Sequence, residues 1–270
     1  MTTLNASHLR GKSALITGSN DGLGLSIAEC LAAAGCHIVL HGLVPEETML
    51  EKIDAMRTRY DVGVFYVRCD LLPKGDEDPV TALVAQAVTH LGRIDILVNN
   101  AVIRHFDAIE RFSLRDWNDS LAVNLTAAFR ATQLVIPEMR AQHWGRIFNM
   151  TSVYGSRAVA NRVDYVTTKT ALLGLTRSVA VECIADGITC NAICPGSVLT
   201  PNIDERINTL MQEQKLTREA AVKVFLQGKQ PNGELVEAKH VAEMVVFLCG
   251  SAGNQITGAM MPIEGGWLAS

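Results

Sequence analysis

Tyr165 and Lys169, with Ser152 shortly before them, form a set that can move a proton to or from an alcohol. Taking a proton from a hydroxyl near neutral pH needs a base, and a free tyrosine with a pKa near 10 is too weakly ionised to serve. Its surroundings must lower that pKa. Lys169 follows Tyr165 by four residues, so on a helix both project from one face and the ammonium can favour the phenolate. Ser152 follows a strand-like run, expected to end there, and can hydrogen-bond a substrate oxygen and turn it toward Tyr165. Taken alone, the same residues also describe an ordinary helix pair and a helix-capping serine.

A second run with chemical meaning is Thr17-Gly18-Ser19-Asn20-Asp21-Gly22-Leu23-Gly24, which lies between a strand-like segment and a helical one. Glycines there permit a tight turn and close approach of the backbone to a pyrophosphate, while the helix N-terminus presents free N–H groups to anionic oxygens. An ordinary glycine-rich turn has no need of that position. The reading is a dinucleotide site using Gly18, Asn20, Asp21, Gly22, Leu23 and Gly24. With three residues between Gly18 and Gly22 and one between Gly22 and Gly24, the spacing differs from G-x-G-x-x-G.

These groups need a scaffold, and the apolar pattern supplies one. Short apolar runs at 13–17, 37–41, 62–67, 95–99, 146–150 and 188–193 alternate with helical spacing at 22–34, 46–60, 78–91, 114–141 and 165–185, and a last strand is expected at 260–264. That alternation predicts an α/β, doubly wound parallel sheet (Rossmann-type) with right-handed crossovers. Residues 201–233 interrupt it with a charged helical stretch, read as a helical lid insertion in one domain spanning 1–270. About 33 residues are too few for an independent core.

Net charge is −4, with 24 basic and 28 acidic residues, and there is no basic run to neutralise a phosphate backbone. Nucleic acid is therefore an unexpected partner. The absence of an 18-residue apolar run or a secretory pattern points to a soluble, cytoplasmic protein without a membrane partner. The seven cysteines sit mostly beside aliphatic residues and read as small buried hydrophobes. Cys190 and Cys194 lie close together, but without zinc-ligand company, so no metal is expected.

The glycine spacing, Asn99-Asn100-Ala101, Asn124 within LAVNLTAAF, Ser152, Tyr165-Val166-Thr167-Thr168-Lys169 and Pro195-Gly196 occur in the order and spacing of the short-chain dehydrogenase/reductase family, which the chain resembles over essentially its whole length. The resemblance implies an enzyme passing hydride between a nicotinamide cofactor and a carbon bearing a hydroxyl or carbonyl group. It assigns Tyr165 as acid/base, Ser152 as stabiliser of the substrate oxygen, Lys169 as pKa modulator and ribose ligand, and Asn124 as holder of a proton-relay water. It extends the cofactor set to Asp70, Leu71, Asn100, Pro195, Gly196 and Val198, with Tyr165 and Lys169 shared. It also implies a homotetramer in which helices 114–141 and 165–185 pack across a two-fold axis. Val102 departs from the family, which usually has glycine there.

The second strand closes on His41-Gly42-Leu43, with neither the acid that typically accepts ribose hydroxyls nor an arginine for a 2′-phosphate. Absence of Arg or Lys at 19–21 and 41–44 favours NAD over NADP. Asp70 resembles the family residue beside the adenine and is otherwise a plausible helix cap.

Within the family, IVLHGL, GRIDILVNNA, NAICPG, KQP at 229–231, QITG at 255–258 and GGW at 265–267 resemble the bacterial D-3-hydroxybutyrate dehydrogenase branch. The positions that hold the substrate carboxylate in that branch are changed. Arg104 stands for a glutamine, Tyr154 for a histidine, Arg162 for a lysine, Arg206 for a glutamine and Ser197 for a tryptophan, while Trp267 is retained. Three arginines supply more positive charge than one carboxylate requires. The expected substrate is a small anionic alcohol: a hydroxy acid, or an alcohol or sugar carrying a carboxylate, sulfonate or phosphate. Four alternatives stay open. The substrate is 3-hydroxybutyrate itself; the arginines are solvated or pair between subunits; the substrate is a neutral polyol, sugar or steroid; or the chain is a silent NAD-sensing module. The complete Ser152, Tyr165, Lys169 and Asn124 set argues against the last.

Overall fold

Seven apolar runs become the strands of one parallel sheet: β1 (Ser13–Ile16), β2 (His37–Gly42), β3 (Val64–Arg68), β4 (Ile96–Asn99), β5 (Gly145–Met150), β6 (Ile188–Pro195) and β9 (Met260–Ile263), in the order β3-β2-β1-β4-β5-β6-β9. The structure, a computed structural model, describes residues 8–75 and 77–270. Ile16 pairs with Leu40 on one side and with Val98 on the other. The chain thus winds outward through β2 and β3, then returns to place β4 beside β1. At that reversal the carboxyl ends of β1 and β4 leave a crevice where ligands of such sheets bind.

The strands are near-continuous hydrophobic runs because both faces are covered. Their two-residue period sends alternate side chains to opposite cores. Ala14, Ile16, Ile38, Leu40, Ile96, Val98 and Phe148 meet α1 (Gly22–Ala33), α2 (Leu50–Tyr60) and α9 (Ala238–Cys249). Leu15, Val39, Leu97 and Ile147 meet α3 (Pro79–Leu91), α5 (Ala127–Ala141) and α6 (Val163–Cys183).

Several boundaries depart from the periodicity. The expected helix 114–141 is interrupted: α4 (Leu114–Leu121) runs into a π-helical turn at Ala122–Thr126 before α5 begins. The break is invisible to a 3.6-residue pattern because the apolar stripe continues through it, and such turns occur frequently at functional sites. Residues 46–49 form a 3₁₀ turn ahead of α2. Ser152 lies two residues beyond β5 rather than at its end, where it caps the 3₁₀ turn Val153–Gly155.

Residues 201–233 hold α7 (Pro201–Gln214) and α8 (Arg218–Leu226), which bury Ile207, Ala221, Phe225 and Leu226 in a small core of their own. Thr200 caps α7 through Ile203 N, with Pro201 in the first turn where its missing N–H costs nothing. A two-residue parallel ribbon unread in the sequence, β7 (Val198–Leu199) with β8 (Val236–Glu237), ties the base of this pair to the sheet. Among the described residues no helix is long and apolar enough to cross a membrane, and no group of three His, Cys, Asp or Glu side chains is placed to hold a metal.

Candidate active site

Tyr165 is the third residue of α6, so the helix start fixes its direction, and it is buried. Lys169, one turn on, is also buried, with Nζ 5.6 Å from the Tyr165 ring centre and donating to Met150 O at 2.6 Å. Ser152 is hydrogen-bonded to the phenol, while its Oγ also accepts from Tyr154 N at 3.3 Å. Serine therefore caps and serves the site at once. The guanidinium carbons of Arg162 and Arg104 lie 4.5 Å and 5.3 Å from the same ring centre.

Burial pushes the Tyr165 phenol up, but Lys169, Arg104, the Ser152 hydrogen bond and Arg162 together outweigh it and hold the group below its ordinary value. Lys169 pays the opposite cost. Burial lowers it to about 8, with the Tyr165 oxygen opposing and Arg104 adding to the shift. A phenol held down and an ammonium poised near neutrality are an acid–base couple suited to proton transfer at the substrate oxygen.

The elements that aim Arg104 and Tyr165 are bonded to each other. Asp164, fully buried beside Tyr165, accepts from Ser120 Oγ at 2.7 Å and from His105 N at 3.2 Å, with His105 Nδ1 also at 3.2 Å. One carboxylate thus joins α4, α6 and the segment after β4. Asn124, in the π-helical turn, spends its side chain on Ile103: Oδ1 accepts from Ile103 N at 2.9 Å and Nδ2 donates to Ile103 O at 3.0 Å. A water held at Asn124 must then use its main-chain carbonyl.

The glycine run lies across the carboxyl ends of β1 and β4. A Cβ at Gly18, whose φ is +61°, would stand 2.9 Å from Ala101 Cα, and one at Gly24 would stand 2.3 Å from Gly18 O. Both close approaches require glycine. Asn100 fastens the loop by donating to Thr17 O at 2.9 Å and Gly18 O at 2.7 Å. Asp21 occupies the N-cap position of α1 without a side-chain cap bond, which leaves the first-turn N–H groups free of a competing carboxylate. The cradle fits a dinucleotide pyrophosphate.

His41 explains part of the missing acid at the end of β2. Its Nδ1 accepts from Gly18 N at 3.0 Å, so the proton sits on Nε2, which donates to Cys69 O at 2.9 Å. Burial lowers its pKa to about 4, keeping the ring neutral and the loop anchored. A Cβ at Gly42 would strike Asn20 Oδ1 at 2.5 Å, so no acid fits there while Asn20 holds its place. Asp70 accepts from Leu72 N at 3.1 Å and forms a turn. It caps no helix; α3 is capped by Asp78. Leu71, Pro195 and Val198 are buried, and a Cβ at Gly196 would meet Gln230 Oε1 at 2.8 Å. Leu23 packs against the α1 face of the core.

Two cations that lie outside 19–21 and 41–44 in the sequence reach this end of the sheet. Lys52, on α2, donates to Asn20 O at 3.0 Å, and Arg68, on β3, donates to Leu43 O at 2.9 Å. No acid and no arginine stands at the end of β2, yet positive charge reaches its rim from two neighbouring elements.

On the substrate side, Tyr154 lies edge-on to Tyr165 and Trp267, with ring centres 6.3 Å and 5.5 Å away. Burial raises its pKa against the opposing pull of Arg162, Arg157 and Arg206. The three predicted arginines do not meet at one point. Arg104 and Arg162 share Tyr165, whereas Arg206 lies over Phe225 of α8, its guanidinium carbon 5.1 Å from the ring centre. Lys229, which the sequence reading passed over, lies over the same ring at 3.8 Å and donates to Phe225 O at 2.7 Å. Its place four residues after Phe225, in the KQP run, was the available signal. Arg157 donates to the Trp267 and Ser270 carbonyls. Among the described residues none of Arg104, Arg157, Arg162, Arg206 and Lys229 forms a salt bridge with a carboxylate.

Comparison with known proteins bears on this arrangement. The family model for short chain dehydrogenase matches residues 12–210. The chain is 37% identical over 261 residues to a D-beta-hydroxybutyrate dehydrogenase of Cupriavidus necator, covering 97% of this chain and 99% of the relative. It is 35% identical over 268 residues to a 2-dehydro-3-deoxy-D-gluconate 5-dehydrogenase of Dickeya dadantii, covering 98% and 99%. Among solved structures, L-sorbose reductase from Gluconobacter frateurii, complexed with NADPH and L-sorbose, superposes with a TM-score of 0.90 at 28% identity, covering 98% of this chain and 100% of that one.

Proposed function

This chain belongs to the short chain dehydrogenase family, and on that premise we propose that it oxidises, reversibly and with NAD, a hydroxyl group on a small anionic substrate. The observation that carries the reading is the placing of Arg104 and Arg162 over Tyr165 with no salt bridge to a carboxylate among the described residues. Two guanidinium groups beside the proton-transfer residue are balanced by an anion on the substrate. The relatives acting on a hydroxy acid and on an acidic sugar derivative support the same class.

Ser152 and Tyr165 would hold the reacting oxygen between their hydroxyls, and the Tyr165 oxygen would accept its proton as the alcohol is oxidised. Lys169 stabilises the phenolate and passes the proton onward to a water at the Asn124 main chain. A bound nicotinamide dinucleotide supplies the hydride acceptor. Gly18, Asn20, Asp21, Gly22, Leu23 and Gly24 would hold its pyrophosphate and adenosine end, with Asp70, Leu71 and Asn100 beside them. Pro195, Gly196, Val198 and Lys169 would hold its nicotinamide half. Tyr154, Trp267 and Arg206 complete the substrate pocket, and the α7–α8 pair acts as its lid.

NAD is preferred because no arginine stands at the end of β2, and the two cations that reach its rim from α2 and β3, Lys52 and Arg68, are each tied to a backbone carbonyl. The exposed apolar side chains Phe129 on α5 and Val181 on α6 support a homotetramer built on those helices. The deciding experiment is NAD reduction against a panel of hydroxy acids, hydroxy sulfonates, sugar acids and neutral polyols. An anionic alcohol should give the highest kcat/KM. A neutral sugar or polyol in first place, as the likeness to L-sorbose reductase would favour, overturns the reading.

A further inference from the structure

Four of the cations at the mouth fall into two pairs, and each pair shares one aromatic ring. Arg104 and Arg162 lie 5.3 Å and 4.5 Å from the centre of Tyr165, while Arg206 and Lys229 lie 5.1 Å and 3.8 Å from the centre of Phe225. Like charges held on one ring repel, and the quadrupole of the ring offsets only a small part of that. Tyr154 stands 6.3 Å from the Tyr165 ring, and both Arg162 and Arg206 pull its hydroxyl toward ionisation. The strain shows in each pair. Arg162 is disfavoured as a cation first by burial and then by Arg104, and Lys229 first by burial and then by Arg206.

Part of this donor capacity is unspent. Arg162 Nε is buried with no hydrogen-bond partner among the described residues. Lys229 uses one of its three donors, on Phe225 O. Among the described residues the carboxylate that bears on Arg162 is Asp164; its Oδ2 accepts from Ser120 and His105, its Oδ1 is buried without a hydrogen-bond partner, and the two residues form no ion pair. One carboxylate on the substrate can bridge one pair and leaves the other as it was.

We infer that the substrate carries two anionic groups, one received by Arg104 and Arg162 beside Tyr165 and the other by Arg206 on α7 and Lys229 in the turn that follows α8. The inference rests on the anionic-substrate reading and sharpens it to a class: a hydroxy acid bearing a second carboxylate, a phosphate or a sulfonate. The second group docks on the lid itself, so binding of the correct substrate draws α7 and α8 over the reacting carbon, and a mono-anion lacks that pull.

The test uses the full chain with NAD and a matched series: 3-hydroxybutyrate, 3-hydroxyglutarate, the monomethyl ester of 3-hydroxyglutarate, and 3-hydroxybutyrate carrying phosphate or sulfonate at C4. At least one bis-anion should exceed the ester about ten- to a hundred-fold in kcat/KM, the worth of one lost charge-assisted contact. The carboxylate, phosphate and sulfonate arms tell the three sources apart. Arg206→Met combined with Lys229→Met should bring the bis-anion to ester ratio close to one. Arg206→Lys, which keeps the charge, should retain most of it; Arg162→Met should lower both substrates together.

An ester as good as every bis-anion, or a ratio that survives the double variant, overturns the inference. If 3-hydroxybutyrate then remains the best substrate and Arg162→Met still impairs it, the anionic reading stands without the second pole. If a neutral polyol is best and Arg162→Met has no effect, both fall. Calorimetric titration of the cofactor-loaded protein with glutarate and with butyrate asks the same question without turnover. Glutarate should bind at least tenfold more tightly in the native chain and no more tightly in the double variant, whereas equal affinities in the native chain count against it.

Discussion

The nucleotide cradle and the substrate mouth are built on opposite electrostatic plans. In the cradle, the side chains are tied down inside the protein and the first-turn N–H groups of α1 are left for the ligand: His41 anchors Gly18, Asn100 bonds Thr17 and Gly18, and Lys52 and Arg68 rest on backbone carbonyls. At the mouth, Arg104, Arg157, Arg162, Arg206 and Lys229 form no salt bridge with a carboxylate among the described residues, and Arg206 and Lys229 belong to a segment attached by a two-residue ribbon. A ligand common to the whole family can be met by rigid backbone and glycine, preorganised at no cost on binding. On the proposed function, the substrate that distinguishes this member would be met by long side chains whose charge is completed only when it arrives.

Four measurements would break or sharpen that contrast. The largest effect belongs to the residue between the two regions. Tyr165→Phe should lower kcat about a hundred- to ten-thousand-fold while leaving the cofactor dissociation constant nearly intact, because only the proton-transferring hydroxyl is lost. Stopped-flow cofactor titration beside steady-state kinetics checks both halves, and retained turnover would remove Tyr165 from the chemistry.

Next comes the cradle. His41 titrates near 4 when folded against 6.5 in an unfolded chain, so between those values the unfolded state binds the extra proton and stability falls as pH falls. Above pH 6.5 the group contributes no slope. The full effect amounts to about 3 kcal/mol by pH 4, on the conversion of one pKa unit to 1.36 kcal/mol. Urea midpoints of the native chain and of His41→Asn from pH 4 to 7 should diverge in slope over that window. Parallel profiles would mean that the imidazole does not hold the loop as a neutral acceptor.

At the mouth, Arg162→Ala should reduce kcat/KM on the best anionic substrate about ten- to a hundred-fold, on the order of 1.5 to 3 kcal/mol, with the cofactor KM unchanged. A matching rise in cofactor KM would blur the division between the regions. The smallest effect is on cofactor choice. The native chain should give a higher kcat/KM with NAD than with NADP, and Lys52→Ala with Arg68→Ala should widen the preference a few-fold by removing what positive charge could meet a 2′-phosphate. A native preference for NADP would reverse the assignment and make those two cations its natural cause.

The parallel sheet, its crossovers and the glycine turn were legible because they depend on local patterns: two-residue alternation, helical spacing and a glycine run at a strand-to-helix junction. Tyr165 and Lys169 were legible for the same reason, being one helical turn apart. The π-helical turn carrying Asn124 was not, since an apolar stripe does not record one extra residue per turn. The β7–β8 ribbon was too short to show a period. The role of His41 was hidden because its partners, Gly18 and Cys69, are distant in sequence, and Asp70 was misread as a possible cap because an Asx turn uses the same side chain as a helix N-cap.

The sequence by itself determined the fold class and the family, because each is written in local patterns recurring along the chain, and it set Lys169 one helical turn after Tyr165. Tertiary structure alone decided how the mouth distributes its charge. It set Arg104 from the segment after β4 against Arg162 at the head of α6, and it put Arg206 beside Lys229 on Phe225 instead of with the other two arginines. Electrostatic energy depends on separation in space and on burial, and neither can be counted off along a chain.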